Sequence, residues 1–99
     1  MTSTAPALQC TVELFGVARL AAGRVAVTLA VPRGATLADA LAALAQACPT
    51  LVGKAIAADG VALLPGHVLN LDGRTFVDDL SQPVRPGERI LLLSDQAGG

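Results

Sequence analysis

Polar and apolar residues alternate early in the chain. Cys10-Thr11-Val12-Glu13-Leu14-Phe15 is rich in strand formers, which predicts a first β-strand. A connection bounded by Gly16 and Gly23 leads into Arg24–Val31, where Val25, Val27, Leu29 and Val31 recur at period two and should line one face. Strands joined this closely pair antiparallel. Pro32-Arg33-Gly34 breaks the pattern and the period changes. Thr36 is an N-cap candidate with Asp39 three residues on, and Leu37, Leu41, Leu44 and Cys48 recur at helical spacing, with Ala40 and Ala47 beside them, until Pro49. This predicts an amphipathic helix that lays its apolar stripe on a sheet. From Thr50 to Gly66, Asp59-Gly60 and Pro65-Gly66 interrupt short apolar pieces, so the expectation is an irregular crossover with a helical turn. His67–Leu71 then reads as a strand, followed by the Asp72-Gly73 turn signal and Arg74–Val77. The final run, Arg89-Ile90-Leu91-Leu92-Leu93, is apolar on consecutive positions, as in a central strand buried on both faces.

The order is strand, strand, helix, crossover, short strands and a last apolar strand. That is an α+β arrangement, with one main helix across a mixed sheet of four or five strands. A central last strand would lie beside the first and run the same way, which is the organisation of the β-grasp, or ubiquitin-like, fold. The expected division is a tail over 1–7, one domain over 8–94 and a C-terminal tail over 95–99.

Composition narrows the function. The chain has 99 residues, 53% of them apolar and 15% charged, which suits one compact core and excludes a disordered chain. The net charge of −1 lacks the electrostatic footprint of a nucleic-acid binder, and Phe15 and Phe76, the two aromatic residues, build no stacking platform. No apolar stretch approaches the length of a membrane span, and the start has no secretory pattern, so a cytoplasmic protein is expected. Cys10 and Cys48 lie inside apolar patterns and read as buried thiols. Two cysteines and the single histidine, His67, fall short of a metal or iron–sulfur ligand set, so no metal is expected. His67 itself reads as a strand-edge side chain bonded to solvent. Asp78 and Asp79 are adjacent, make a poor acid–base pair, and should flank a turn. No phosphate-binding loop is present, so ATP binding by this chain alone is not expected.

After Leu93 the pattern stops and the chain ends Ser94-Asp95-Gln96-Ala97-Gly98-Gly99. The opening Val12-Glu13-Leu14-Phe15-Gly16-Val17-Ala18-Arg19, the helix start Gly34-Ala35-Thr36-Leu37-Ala38-Asp39-Ala40-Leu41, and the late segment from Leu71-Asp72-Gly73 through Leu80-Ser81-Gln82-Pro83-Val84-Arg85-Pro86-Gly87-Glu88-Arg89-Ile90 stand in order before that Gly98-Gly99 end. Together they resemble the sulfur-carrier family of the molybdopterin synthase small subunit and the thiazole-biosynthesis carrier. The resemblance implies a carrier, not an enzyme. Its Gly99 carboxylate would be adenylated by an E1-like adenylyltransferase using ATP, then converted to a thiocarboxylate by a persulfide or sulfurtransferase donor. The sulfur would pass to an acceptor such as a molybdopterin synthase large subunit. Gly98 and Ala97 would be read by the partner as the tail threads into its site, where glycine permits close backbone approach.

Ser94-Asp95-Gln96 replaces the Pro-Pro pair and hydrophobic residue usual before the Gly-Gly end of the molybdopterin type, while the insert from Lys54 to Gly66 resembles the longer molybdopterin-type members. Phe15, Leu91 and Leu93 form a possible partner patch if the helix covers only the opposite face; equally, they could be core or lie under Thr50–Gly66. Two other functions stay open: a ubiquitin-like modifier joined through Gly99 to a lysine, and a β-grasp interaction module with no carrier chemistry.

Overall fold

The computed structural model describes residues 7–94, beginning with strand β1 (Ala7–Leu14). This strand starts before Cys10 and brings Leu8 into the core. A six-residue helix, α1 (Val17–Ala22), follows where the sequence predicted only a Gly-bounded connection. Ala18, Ala21 and Ala22 favour helix at little entropic cost, but a segment this short buries only Ala18 fully and shows no apolar period. Gly23 caps it in the left-handed region at φ 68° and donates its N–H to the Arg19 carbonyl.

Strand β2 (Ala26–Pro32) pairs antiparallel with β1, from Ala7 opposite Pro32 to Glu13 opposite Ala26. It begins two residues later than predicted. Val27, Leu29 and Val31 face the core as expected, whereas Val25 is 63% exposed. Val25 lies two residues after the α1 cap and one before β2; its carbonyl accepts the Leu14 N–H, but its side chain stays outside the core.

Helix α2 (Leu37–Ala47) starts from Thr36 in a capping box: Thr36 Oγ1 accepts the Asp39 N–H, and Asp39 Oδ2 accepts the Thr36 N–H. Two further N–H groups of its first turn, on Leu37 and Ala38, donate to the carbonyls of Gln82 and Leu80. The Leu80–Pro83 segment is therefore the anchor of the helix start. Leu37, Ala40, Leu41 and Leu44 form the buried stripe. A short 3₁₀ turn (Pro49–Leu51) opens the crossover, which places Leu51, Ala55 and Ile56 in the core.

Strands β3 (His67–Leu71) and β4 (Thr75–Val77) form a hairpin whose central residues, Asp72 and Gly73, have φ values of 58° and 75°. Positive φ at both positions marks a type I′ turn, closed by the Arg74 N–H on the Leu71 carbonyl. Strand β5 (Arg89–Ser94) lies between β1 and β3, and the sheet order is β2-β1-β5-β3-β4. β5 runs parallel to β1 and antiparallel to β3, so the sheet is mixed and the last strand central, as predicted.

The expectation that β5 is buried on both faces fails. Ile90 and Leu92 are buried in one cluster with Val12, Leu14, Leu29, Leu69 and the α2 stripe. Each such leucine contributes about 1.5–3 kcal/mol by leaving water. Leu91 and Leu93, on the opposite face, are only half-buried. Among the described residues a single helix layer covers one side of the sheet and no second layer of helices covers the other.

Candidate functional site

The open face divides in two. Over β1 and β2 it presents Gln9, Thr11 and Thr28, with Glu13 and Arg89 at the boundary. Arg89 grips Glu13 with two hydrogen bonds, Nε to Oε2 at 2.7 Å and Nη2 to Oε1 at 3.0 Å. Over β5, β3 and β4 the face is apolar: Leu93 stands opposite Val68, and Phe76 follows on β4 at 66% exposed. Leu91 stands between Glu13 on β1 and Asn70 on β3.

Phe15 directly follows the Leu14–Leu92 pair that ends the β1–β5 ladder. Its N–H donates to the Leu92 carbonyl at 3.1 Å, and the Arg19 guanidinium lies over its ring, 5.6 Å from the centroid. Arg19 Nε also donates to the Leu14 carbonyl, which ties α1 to the end of β1. Of the trio Phe15, Leu91 and Leu93, the two leucines lie half-buried on the open face, and Phe15 lies half-buried just past the end of β1. Val68 and Phe76, which sequence reasoning missed, complete that face. No local signal marks them: the register that sets Val68 opposite Leu93 and Phe76 opposite Asn70 follows from strand pairing alone.

This face ends where β5 ends. Gly16, at φ 58° and ψ −128°, adopts a conformation that L-residues rarely take, and a Cβ there would stand 3.6 Å from the Cβ of Ser94. α1 is therefore turned back against the end of the last strand. On its outer side Leu20 is 83% exposed, beside an open cleft of about 270 Å³ lined by Val17, Leu20, Ala21 and Lys54. Ala97, Gly98 and Gly99, the predicted tail and attachment residues, lie outside the described residues.

Other candidates resolve differently. Cys10 and Cys48 are buried and free. Burial first, and the Glu88 charge second, push the Cys10 thiol up, which makes it a poor nucleophile. Asp79 caps a turn by accepting the Ser81 N–H and hydroxyl, and these bonds hold its carboxyl below the usual range. Among the described residues no group of three or more His, Cys, Asp or Glu could hold a metal ion, and no helix is long and apolar enough to cross a membrane.

His67 corrects its reading as a solvent-bonded edge residue. His67 pairs with Ser94 of β5 beyond the reach of the β3–β4 ladder, yet both its ring nitrogens are closed off from solvent without a hydrogen-bond partner. A neutral imidazole carries one donor and one acceptor, and leaving them unpaired costs stability. His67→Leu is expected to raise unfolding stability by about 1 kcal/mol, read as a higher urea midpoint at unchanged slope. A lower midpoint would show that the ring is held by contacts leucine does not replace.

The Glu13–Arg89 pair carries a pH dependence. Hydrogen bonding from Arg89, opposed by slight desolvation, holds the Glu13 carboxyl below the usual glutamate range. A carboxyl depressed in the folded state adds stability above its unfolded value and loses it as pH falls through the lowered folded value. The pair is exposed, so the contribution is small. Arg89→Gln should return the Glu13 titration, followed by carboxyl-carbon NMR, to the ordinary range. An unchanged titration would mean that Arg89 does not set it.

No family model and no curated protein matches the chain. Solved structures do. The chain is similar to SAMP1 from Haloferax volcanii, with 27% identity and a TM-score of 0.79 over 92% of this chain and 99% of that one. It also superposes on the small archaeal modifier protein 1 from Methanosarcina acetivorans, at 20% identity and a TM-score of 0.75, over 94% of this chain and 98% of that one. Urm1 from Trypanosoma brucei matches at 18% identity and a TM-score of 0.58, covering 94% and 97% of the two chains. The fold is the ubiquitin-like β-grasp. The last two likenesses speak to fold alone; the Haloferax protein shares more of its sequence with this chain and nearly all of its length.

Proposed function

We propose that this protein is a sulfur carrier, with Gly99 as the attachment residue and the open sheet face as the surface that docks an E1-like adenylating enzyme. The observation that carries the reading is the position of the apolar face: Leu91 and Leu93 sit on β5, the strand that leads to Gly98-Gly99. Five residues follow Ser94, so Gly99 lies within roughly 17 Å of it even when fully extended. An enzyme that reaches the Gly99 carboxylate therefore works within about 17 Å of this end of the sheet, where Leu91 and Leu93 offer it an apolar surface. The family resemblance supports the same class, and the likeness to a 27% identical SAMP1 supports the ubiquitin-like fold it requires.

The chemistry asks little of the carrier's side chains. A carboxylate oxygen of Gly99 attacks the α-phosphate of ATP and pyrophosphate leaves, giving an acyl adenylate. The terminal sulfur of a donor persulfide then attacks the carbonyl carbon and AMP leaves. A second thiol cleaves the acyl disulfide, which frees the thiocarboxylate and oxidises the donor to a disulfide. The activating enzyme binds ATP; the carrier brings a carboxylate and a docking face. For the acceptor we favour a molybdopterin synthase large subunit, on the resemblance of the Lys54–Gly66 insert to the longer carriers.

Intact mass after incubation with an E1-like enzyme, ATP and a persulfide donor tests the proposal. A gain equal to one oxygen-for-sulfur exchange is expected; no change with active enzyme would overturn it. The second reading, a protein modifier, is favoured by the modifier name borne by structural neighbours. A ladder of isopeptide-linked adducts in cell extract would select it.

A further inference from the structure

Asn70 is out of place among its neighbours. It lies on the open face in β3, in register with Leu91 on one side and Phe76 on the other, and Val68 follows the same face towards Leu93. None of these side chains offers a hydrogen bond. Asn70 is only 5% exposed, and its Oδ1 is closed off from solvent with no partner. Asparagine is disfavoured in strands, and an orphaned buried acceptor costs stability that leucine at the same place would not. His67 carries orphaned atoms too, but it shares a side of the sheet with Leu69 and Leu92, facing the helix. The unpaired acceptor of Asn70 lies within the apolar half of the docking face.

We infer that Asn70 is a specificity-determining residue of this face, accepting a hydrogen bond from a hydroxyl or N–H group of the adenylating enzyme. The inference rests on the docking role proposed above. Phe76, two-thirds exposed, is the neighbour free to swing aside and admit the donor. Once the faces close, Leu91, Leu93 and Val68 exclude water, and a bond in that environment discriminates strongly. An apolar face alone accepts any complementary apolar surface. With one buried acceptor inside it, a partner that brings no donor leaves that acceptor unpaired and is rejected.

The test compares the parent protein with Asn70→Leu, which removes the acceptor at nearly the same side-chain size, and Asn70→Thr, which keeps an uncharged acceptor. Pyrophosphate release by the E1-like enzyme of the source organism gives KM and kcat, and thermal melting gives stability. Asn70→Leu is expected to raise KM about tenfold or more with kcat unchanged, and to melt at or above the parent temperature. Asn70→Thr should keep KM closer to the parent than Asn70→Leu does, within about threefold. A KM for Asn70→Leu within about twofold of the parent overturns the inference. So does a lowered melting temperature together with raised KM in both variants, because that marks a structural role. If the parent itself releases no pyrophosphate, the carrier reading fails and takes this inference with it.

Discussion

Deleting Gly99 should abolish thiocarboxylate formation and leave the melting temperature of the protein unchanged. The core runs from Leu8 to Leu92, and no described contact depends on the last residue, so the fold has nothing to lose. The chemistry has everything to lose. Shortening the tail withdraws the carboxylate by about 3.4 Å from a phosphate it must approach to within near-attack distance. A misplacement of about 1 Å can already cost a hundredfold, so less than about 1% of the parent rate is expected. Appending one alanine should be equally damaging for a different reason: the Gly99 carboxylate becomes a peptide carbonyl and the new terminus overshoots. Intact mass spectrometry reads both variants directly. Sulfur uptake by either at the parent rate would remove Gly99 from its role and leave a β-grasp interaction module whose Gly-Gly end is incidental.

Much of this fold was legible because its elements obey simple periods. The capping box at Thr36 and Asp39, the 3.6-residue stripe from Leu37 to Leu44 and the Asp72-Gly73 hairpin each leave a local mark that tertiary contacts then reinforce. What the sequence hid was decided by packing. α1 is too short to show a stripe, and its geometry depends on Gly16 folding it back beside Ser94. The run Arg89–Leu93 reads as doubly buried because consecutive apolar residues look alike whether a layer or a partner covers them. Only the sheet order, with one helix layer, shows that Leu91 and Leu93 are left open. Phe76 and Val68 joined the site for the same reason, since membership of a face follows from strand pairing and not from local composition.

The same distinction sets the second large effect. Leu93→Glu is expected to abolish productive docking with the adenylating enzyme while the fold survives. The side chain is half-buried on the open face, so a glutamate can turn its carboxylate to water in the free protein. In the complex that charge would be trapped against an apolar surface, and central contacts of this kind cost roughly 2–4 kcal/mol when disrupted. The result is a loss of affinity of about 30-fold or more. Leu91→Glu should behave alike but lose some stability as well, because Glu13 stands beside it in register and like charges there repel. Leu92→Glu makes the contrast: its side chain is fully buried under the helix, and an unpaired carboxylate there should unfold the domain. Adenylation kinetics with thermal melts separate the cases. Leu93→Glu melting like the parent but failing to be adenylated places the partner on the open face. Full adenylation of a folded Leu93→Glu would mean that the enzyme reaches Gly99 from another side, with the exposed flank of α1 around Leu20 then the surface to probe.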